Sequence, residues 1–276
     1  MTNQAQKAAA FRTLHERDGA FIMPNPWDAG TARLLTALGF EALATTSLGL
    51  ANTLGRADGT GAVSRAEVLA NCAEIAGATH LPVSADLENC YAHEPRAAAE
   101  MIRLAAEAGV VGGSIEDATG DAQQPIYDFE LAVERVHAAA EMARSLPFPF
   151  TLTARAENFL HGRRDLDDTI RRLRAFEKAG ADVVYAPGLR DLATIGTVAS
   201  AVTKPLNVVM SAADPALTAA QLAKAGVKRI SIGGALSRLA LASVLRAANE
   251  MKEQGGFTWI ADTVSAKELN RLFRAS

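Results

Sequence analysis

The stretch Leu81-Pro82-Val83-Ser84-Ala85-Asp86-Leu87-Glu88-Asn89-Cys90-Tyr91 decides how the rest of the chain is read. A proline opens it, a short apolar run follows, and two carboxylates close it. Proline is tolerated at the first residue of a strand, so Leu81–Ala85 reads as a buried strand. Side chains of extended backbone alternate with period two, which would aim Asp86 and Glu88 the same way. The next apolar run, Val110–Ile115, ends on Glu116 and Asp117. An ionised carboxylate buried alone is costly. Repeated at strand ends, carboxylates suit a hard divalent cation, which takes oxygen ligands. Capping of the following helices by the same acids is the alternative.

Working outward, the same unit recurs. A helical pattern closes on glycine and an apolar strand follows at Asp18-Gly19, Leu38-Gly39, Ala108-Gly109, Ala179-Gly180 and Ala225-Gly226. Glycine enters the left-handed conformation that ends a helix without steric penalty. Three more strands are opened by Pro82, Pro149 and Pro205, which makes eight. Helical stretches lie between them: Arg65–Ala78, Pro95–Ala108, Glu130–Arg144, Asp167–Ala179, Ala193–Ala201 and Thr218–Ala225, after a first helix over Gln6–Arg17. The strands are near-continuous apolar runs, as expected when both faces are buried. Eight such βα units in 276 residues predict an α/β fold, a (β/α)8 TIM barrel over residues 1–276 as a single domain. A doubly wound sheet is the runner-up, but no Gly-x-Gly-x-x-Gly follows the first strand. Beyond the eighth unit, Leu236–Gln254 and Thr263–Phe273 read as extra helices, so residues 236–276 form an additional C-terminal element.

Composition narrows the function. Hydrophobic residues make up 49% of the chain, enough for a large core, and the net charge of −3 gives no basic footprint for nucleic acid or an anionic membrane. The two cysteines, Cys72 and Cys90, form no motif and read as packing, which suits a cytoplasmic location. Residues 1–10 lack a signal-peptide pattern, and no apolar run reaches the roughly 20 residues of a membrane span. His15, His80 and His137 read as surface residues on helices, and the Arg163-Arg164 and Arg171-Arg172 pairs as a solvated face. His161 and Tyr91 fall near the barrel mouth.

In a barrel of this kind the active site lies at the C-terminal ends of the strands. Those ends carry carboxylates, an arginine whose planar fork matches a carboxylate, and a small-residue loop with backbone N–H groups. Asn25-Pro26-Trp27-Asp28-Ala29, Thr45-Thr46-Ser47-Leu48-Gly49, Asp86-Leu87-Glu88-Asn89, Gly113-Ser114-Ile115-Glu116-Asp117 and Ala154-Arg155-Ala156-Glu157-Asn158-Phe159 occur in that order. This set resembles the isocitrate lyase/phosphoenolpyruvate mutase superfamily, from about Phe11 to Leu245.

The resemblance implies a Mg2+ ion, with Mn2+ as the alternative, held directly and through water by Asp86, Glu88 and Glu116. It implies catalytic roles for Arg155, Asp58 and Glu116. Trp27, Ser47, Leu48, Gly49, Asp86, Arg155 and Asn207 would bind a small 2-oxo or 2-hydroxy carboxylate, and Glu157 would orient Arg155. The implied chemistry is carbon–carbon bond cleavage through a metal-stabilised enolate. The implied assembly is a homotetramer, a dimer of dimers, whose C-terminal helices are exchanged between subunits.

Three departures qualify the likeness. The Lys-Lys-Cys-Gly-His loop of isocitrate and methylisocitrate lyases is replaced by Thr119-Gly120-Asp121-Ala122-Gln123-Gln124-Pro125-Ile126, which removes their acid cysteine. The lysine–asparagine pair of phosphonate-forming mutases is missing from the same segment, and Cys90 and Ala92 stand where the third-strand loop has glycines. Lacking the acid, the chain reads as an oxaloacetate decarboxylase-like lyase more than an isocitrate lyase. A phosphonopyruvate-type mutase or hydrolase and a non-catalytic oxo-acid binder are the alternatives.

Overall fold

The computed structural model describes residues 3–275. Eight parallel strands form one sheet: β1 Phe21–Met23, β2 Leu43–Ala44, β3 Val83–Ala85, β4 Gly112–Glu116, β5 Thr151–Arg155, β6 Val183–Tyr185, β7 Leu206–Val209 and β8 Val227–Ser231. Their order, β1-β8-β7-β6-β5-β4-β3-β2, is sequential around a ring. The gap between β1 and β2 is bridged where Ala44 N–H donates to Pro24 O at 3.0 Å. This is the expected (β/α)8 barrel.

The helices that cover it are α1 Gln4–Glu16, α2 Ala29–Ala37, α3 Ser47–Thr53, α4 Arg65–Gly77, α5 Pro95–Glu107, α6 Phe129–Ser145, α7 Leu166–Ala179, α8 Leu192–Ala201 and α9 Ala219–Lys224. Asn3, Asp28, Ser64 and Thr218 start α1, α2, α4 and α9 with reciprocal capping boxes, each satisfying two otherwise orphaned N–H groups. All five glycines of the helix-to-strand junctions have positive φ. At Gly180 space adds to conformation, since a Cβ there would lie 2.9 Å from Ala140 Cβ.

α1 closes the N-terminal end of the barrel. Its Ala8, Phe11 and Leu14 pack with Phe21, Met23 and Val111 in a cluster of their own. His15 belongs to this plug, which corrects the expectation of a surface histidine. It is 8% exposed, its Nδ1 pairs with Phe11 O at 2.8 Å, and its ring meets Phe11 and Phe21 edge-on. Burial, followed by the charge of Arg229, pushes its pKa down to about 3.

Past the barrel, α10 Ala235–Gln254 stands away from the core: only Ser237 is buried, while Leu239, Val244 and Leu245 are each about 60% exposed. A 3-10 turn, Thr258–Asp262, leads to α11 Ala266–Ala275, which packs against α2.

Candidate active site

β3 delivers Asp86 one residue past its end. Thr45 Oγ1 accepts the Asp86 N–H at 2.9 Å; the carboxylate accepts Ser47 N–H at 3.1 Å and Arg155 Nη1 at 2.9 Å. The period-two alternation stops there. The backbone turns through Leu87, and Glu88, Cys90 and Tyr91 all adopt left-handed φ of 49°, 60° and 54°. Such conformations cost side-chain-bearing residues of order 1 kcal/mol or more and persist only where the surroundings impose them. Here Arg135 of α6 imposes them, donating to the carbonyls of Asn89, Ala92 and His93 at 2.5–2.6 Å. The turn brings Glu88 to the mouth, where Tyr91 Oη donates to it at 3.1 Å. Burial, then the neighbouring Asp86, pushes Glu88 up to about 7.

Glu116 and Arg155 end β4 and β5 and are register partners. Arg155 meets three carboxylates: Glu157 at Nε (2.8 Å), Asp86 at Nη1 (2.9 Å) and Glu116 at Nη2 (3.1 Å). Burial opposes its charge, but Glu157, Glu116 and Asp86 hold the guanidinium protonated well above its ordinary range. Burial also raises Glu116 strongly, with Arg155 opposing and Glu157, Asp86 and Glu88 adding to the rise. The arginine expected to grip substrate is thus tied chiefly to the protein's own acids. Asp117 turns the other way: it is buried against Arg172 (3.0 Å) and accepts Glu157 N–H (2.8 Å). Arg172 is therefore core, not part of a solvated face.

Ser47, Leu48 and Gly49 are the first turn of α3, capped by Thr46, rather than a loop. Two of their amides have internal partners, Ser47 N–H on Asp86 and Gly49 N–H on Thr46 Oγ1. A Cβ on Gly49 would sit 2.8 Å from Trp27 Cβ, so this turn lies directly against half-buried Trp27. Asp58, in the exposed segment after α3, reaches the Ser47 hydroxyl; desolvation and then Asp86 push its carboxyl up.

On the opposite side, the described residues that border the cavity include no acid. Asn207 of β7 is buried and accepts Arg229 Nε at 2.8 Å while donating to Ser231 Oγ at 3.0 Å. Tyr185, ending β6, places its ring 5.0 Å from the Arg155 guanidinium. Asp86, Arg155, Tyr185, Asn207, Arg229 and Ser231 all border one cavity of about 60 Å³ at the strand ends. A larger cavity, about 550 Å³, opens at the other end of the barrel between α1 and the starts of β5 and β6, away from this cluster. Sequence reasoning missed Tyr185, Arg229 and Arg135. Arg229 was detectable: it alternates with Ser231 on the inward face of a strand otherwise read as apolar.

The loop after β4 is a short closed hairpin, with an Ala118–Ile126 antiparallel bridge and Thr119 N–H donating to Pro125 O at 3.0 Å. Cys90, on the neighbouring turn, is fully buried, and His161 is exposed after β5.

Among the described residues, no three His, Cys, Asp or Glu side chains converge closely enough to enclose an ion by themselves. Mg2+ does not require that: it is commonly held by one or two carboxylates and keeps several waters. Asp86 raises the cost of ionising Glu88 and Glu116, and all three offer only oxygen, so they fit a cation bound at one carboxylate and reached through water from the others.

Comparison with known proteins shows the family. The phosphoenolpyruvate phosphomutase family model matches residues 11–252. An uncharacterized protein of Mycobacterium tuberculosis is 32% identical over 81% of both chains. The oxaloacetate decarboxylase of Ectopseudomonas mendocina is 29% identical over 82% of this chain and 77% of its own. A crystal structure from Burkholderia cenocepacia, provisionally assigned as a lyase/mutase, superposes with a TM-score of 0.95 at 58% identity, covering 98% of this chain and 96% of that one. The chain belongs to the phosphoenolpyruvate mutase/isocitrate lyase superfamily and is an enzyme of that group of lyases and mutases.

Proposed function

We propose that this enzyme is a Mg2+-dependent carbon–carbon lyase of small 2-oxo or 2-hydroxy carboxylates, and that it decarboxylates a 2-oxo acid such as oxaloacetate in preference to cleaving isocitrate. The observation that carries this reading is the closed hairpin over Thr119–Pro125, which carries no cysteine to serve as the acid. Retro-aldol cleavage needs a base for the hydroxyl proton and an acid for the departing fragment. Loss of carbon dioxide from a 2-oxo acid needs neither, and solvent can deliver the final proton.

The bound cation would act as a Lewis acid toward the 2-oxo group, offsetting the charge that develops on its oxygen. The chain's own residues then have distinct tasks. Asp86 anchors the cation side, held in place by Ser47 N–H and Arg155. Glu157 and Glu116 fix the Arg155 plane, leaving its remaining N–H groups toward the cavity. Trp27 and the first turn of α3 wall one side, and Asn207 the other. The likeness to an oxaloacetate decarboxylase supports the same reaction class.

The test is a parallel rate measurement on oxaloacetate, isocitrate and phosphonopyruvate, with Mg2+ and with chelator. Chelator-sensitive turnover of oxaloacetate, with isocitrate cleaved slowly, is expected. Efficient isocitrate cleavage without oxaloacetate turnover overturns the preference; turnover of phosphonopyruvate alone favours the mutase or hydrolase reading, and no turnover at all favours a binder.

We also propose a cytoplasmic homotetramer in which α10 is exchanged between subunits. The apolar positions Leu239, Val244 and Leu245, which lie bare along α10, support it. A monomer in light scattering at micromolar concentration would contradict it.

A further inference from the structure

Four arginines of this chain are largely buried, and three have evident partners. Arg155 meets three carboxylates. Arg172 pairs with Asp117 and Asp168. Arg135 donates to three backbone carbonyls and lies over the Tyr127 ring, with its Nε left unpartnered away from the cavity. Arg229 differs from Arg155 and Arg172 in having no carboxylate, and from Arg135 in bordering the strand-end cavity. It is 3% exposed, and among the described residues it forms no ion pair. Its only acceptors are neutral, Asn207 Oδ1 at 2.8 Å and Thr153 Oγ1 at 2.9 Å, and its Nη1 has no partner. Burying an uncompensated charge is among the most costly arrangements in a protein interior. Arg229 nevertheless sits where it borders the strand-end cavity together with Asn207 and Ser231.

We propose that Arg229, with Asn207 and Ser231 beside it, forms an anion subsite on the acid-free side of the cavity, and that it takes the second carboxylate of a dicarboxylic 2-oxo or 2-hydroxy acid. The inference rests on the lyase reading above and adds the residue that recognises the far carboxylate. Two physical arguments carry it. An incoming carboxylate supplies the counter-charge that the protein withholds from Arg229, in a charge-assisted hydrogen bond of the strong kind. Arg155 cannot serve equally, because three carboxylates already neutralise it. Asp86 and Arg229 border the same cavity, so a chelating end at Asp86 would place the far end on the side of β7 and β8. A cation on the far carboxylate favours the bound ground state and not carbon dioxide loss, so Arg229 acts through affinity.

The test uses calorimetric binding in the presence of Mg2+, with oxalate, lactate and malate as probes. Lactate and malate share the chelating 2-hydroxy carboxylate; only malate carries a further carboxylate. Oxalate spends both carboxylates on the chelate and has none for Arg229. The wild-type enzyme is expected to bind malate at least tenfold more tightly than lactate. Arg229→Gln should remove that preference while changing oxalate affinity less than threefold. Arg229→Lys keeps the charge but loses the fork; it should lower the preference with oxalate again unaffected, and it serves if the Gln variant does not fold. Equal binding of malate and lactate by the wild type, or an unchanged preference in the variants, overturns the subsite. Failure of oxalate to bind with Mg2+ instead overturns the underlying lyase reading, so the two failures are distinguishable.

Discussion

Two arginines border the same cavity and are treated oppositely by the fold. Arg155 ends β5 among Asp86, Glu116 and Glu157, on the side built by β3, β4 and β5. Arg229 lies on β8 beside Asn207 and Thr153, on the side built by β5 to β8, with no acid at hand. The contrast extends to the backbone. Among the described residues, side-chain-bearing residues with left-handed φ occur only at Glu88, Cys90 and Tyr91, on the acidic side, whereas on the other side that conformation falls on glycines such as Gly188 and Gly233. An acid-rich, strained half is suited to a cation, and a relaxed half with a spare guanidinium is suited to an anion. A small acid that chelates a metal at one end and carries charge at the other spans both.

The largest effect is expected at Asp86. Asp86→Ala removes the carboxylate that organises Ser47 N–H and Arg155 Nη1, so turnover should fall by roughly 10²–10³-fold or more, with loss of Mg2+ binding. Wild-type turnover in this variant would show that the acidic half is not the cation side. Glu157→Gln should be milder. Glu157 fixes Arg155 from behind and lines no part of the cavity, so kcat is expected to drop about 10–100-fold while Mg2+ affinity is kept. A collapse of Mg2+ binding would place Glu157 among the ligands.

Two buried groups, Glu88 at the mouth and His15 in the α1 plug, should also respond to pH with opposite signs in the metal-free protein. Burial and Asp86 raise Glu88 from 4.5 to about 7, so between those values the folded state holds the extra proton and stability falls as pH rises. Burial and Arg229 lower His15 from 6.5 to about 3, so there the unfolded state holds the extra proton and stability rises with pH across that window. Each slope is at most about 1.4 kcal/mol per pH unit for one group. Urea midpoints followed from pH 3.5 to 7.5 should fall less steeply in Glu88→Gln, with buried Glu116 and Asp117 sustaining the rest of the falling branch, and should rise less steeply in His15→Gln; an unchanged profile in either variant would refute that assignment.

The smallest effect is expected at Cys90. Cys90→Gly relieves a left-handed residue but empties a fully buried position, and the two terms are of similar size. Thermal melts should therefore move by only a few degrees, about 1 kcal/mol or less. A large loss would mean that side-chain packing, not Arg135, holds this turn.

The contrast between halves also explains what could be read from sequence. Strand ends announce themselves through junction glycines and prolines, since those residues report local backbone geometry. Asp86, Glu116 and Arg155 follow, because position at a strand end determines where they point, whereas Asn207 lies within β7. Long-range compensation leaves no such mark. The burial of Arg172 depends on Asp117, 55 residues away, and that of His15 on how α1 plugs the barrel floor. Ser47 to Gly49 looked like a loop because small residues favour turns; Thr46, by capping, makes them helical. Arg229 was detectable as an inward-facing residue of β8, but its lack of a carboxylate partner shows only in the fold.

The most direct test of this division is a Mg2+ titration by calorimetry, without substrate, of the wild type, Asp86→Ala and Arg229→Gln. The account predicts that Asp86→Ala abolishes binding and that Arg229→Gln binds Mg2+ within about threefold of the wild type. Loss of Mg2+ binding in Arg229→Gln, or its survival in Asp86→Ala, would contradict the assignment of cation and anion to separate halves of the cavity.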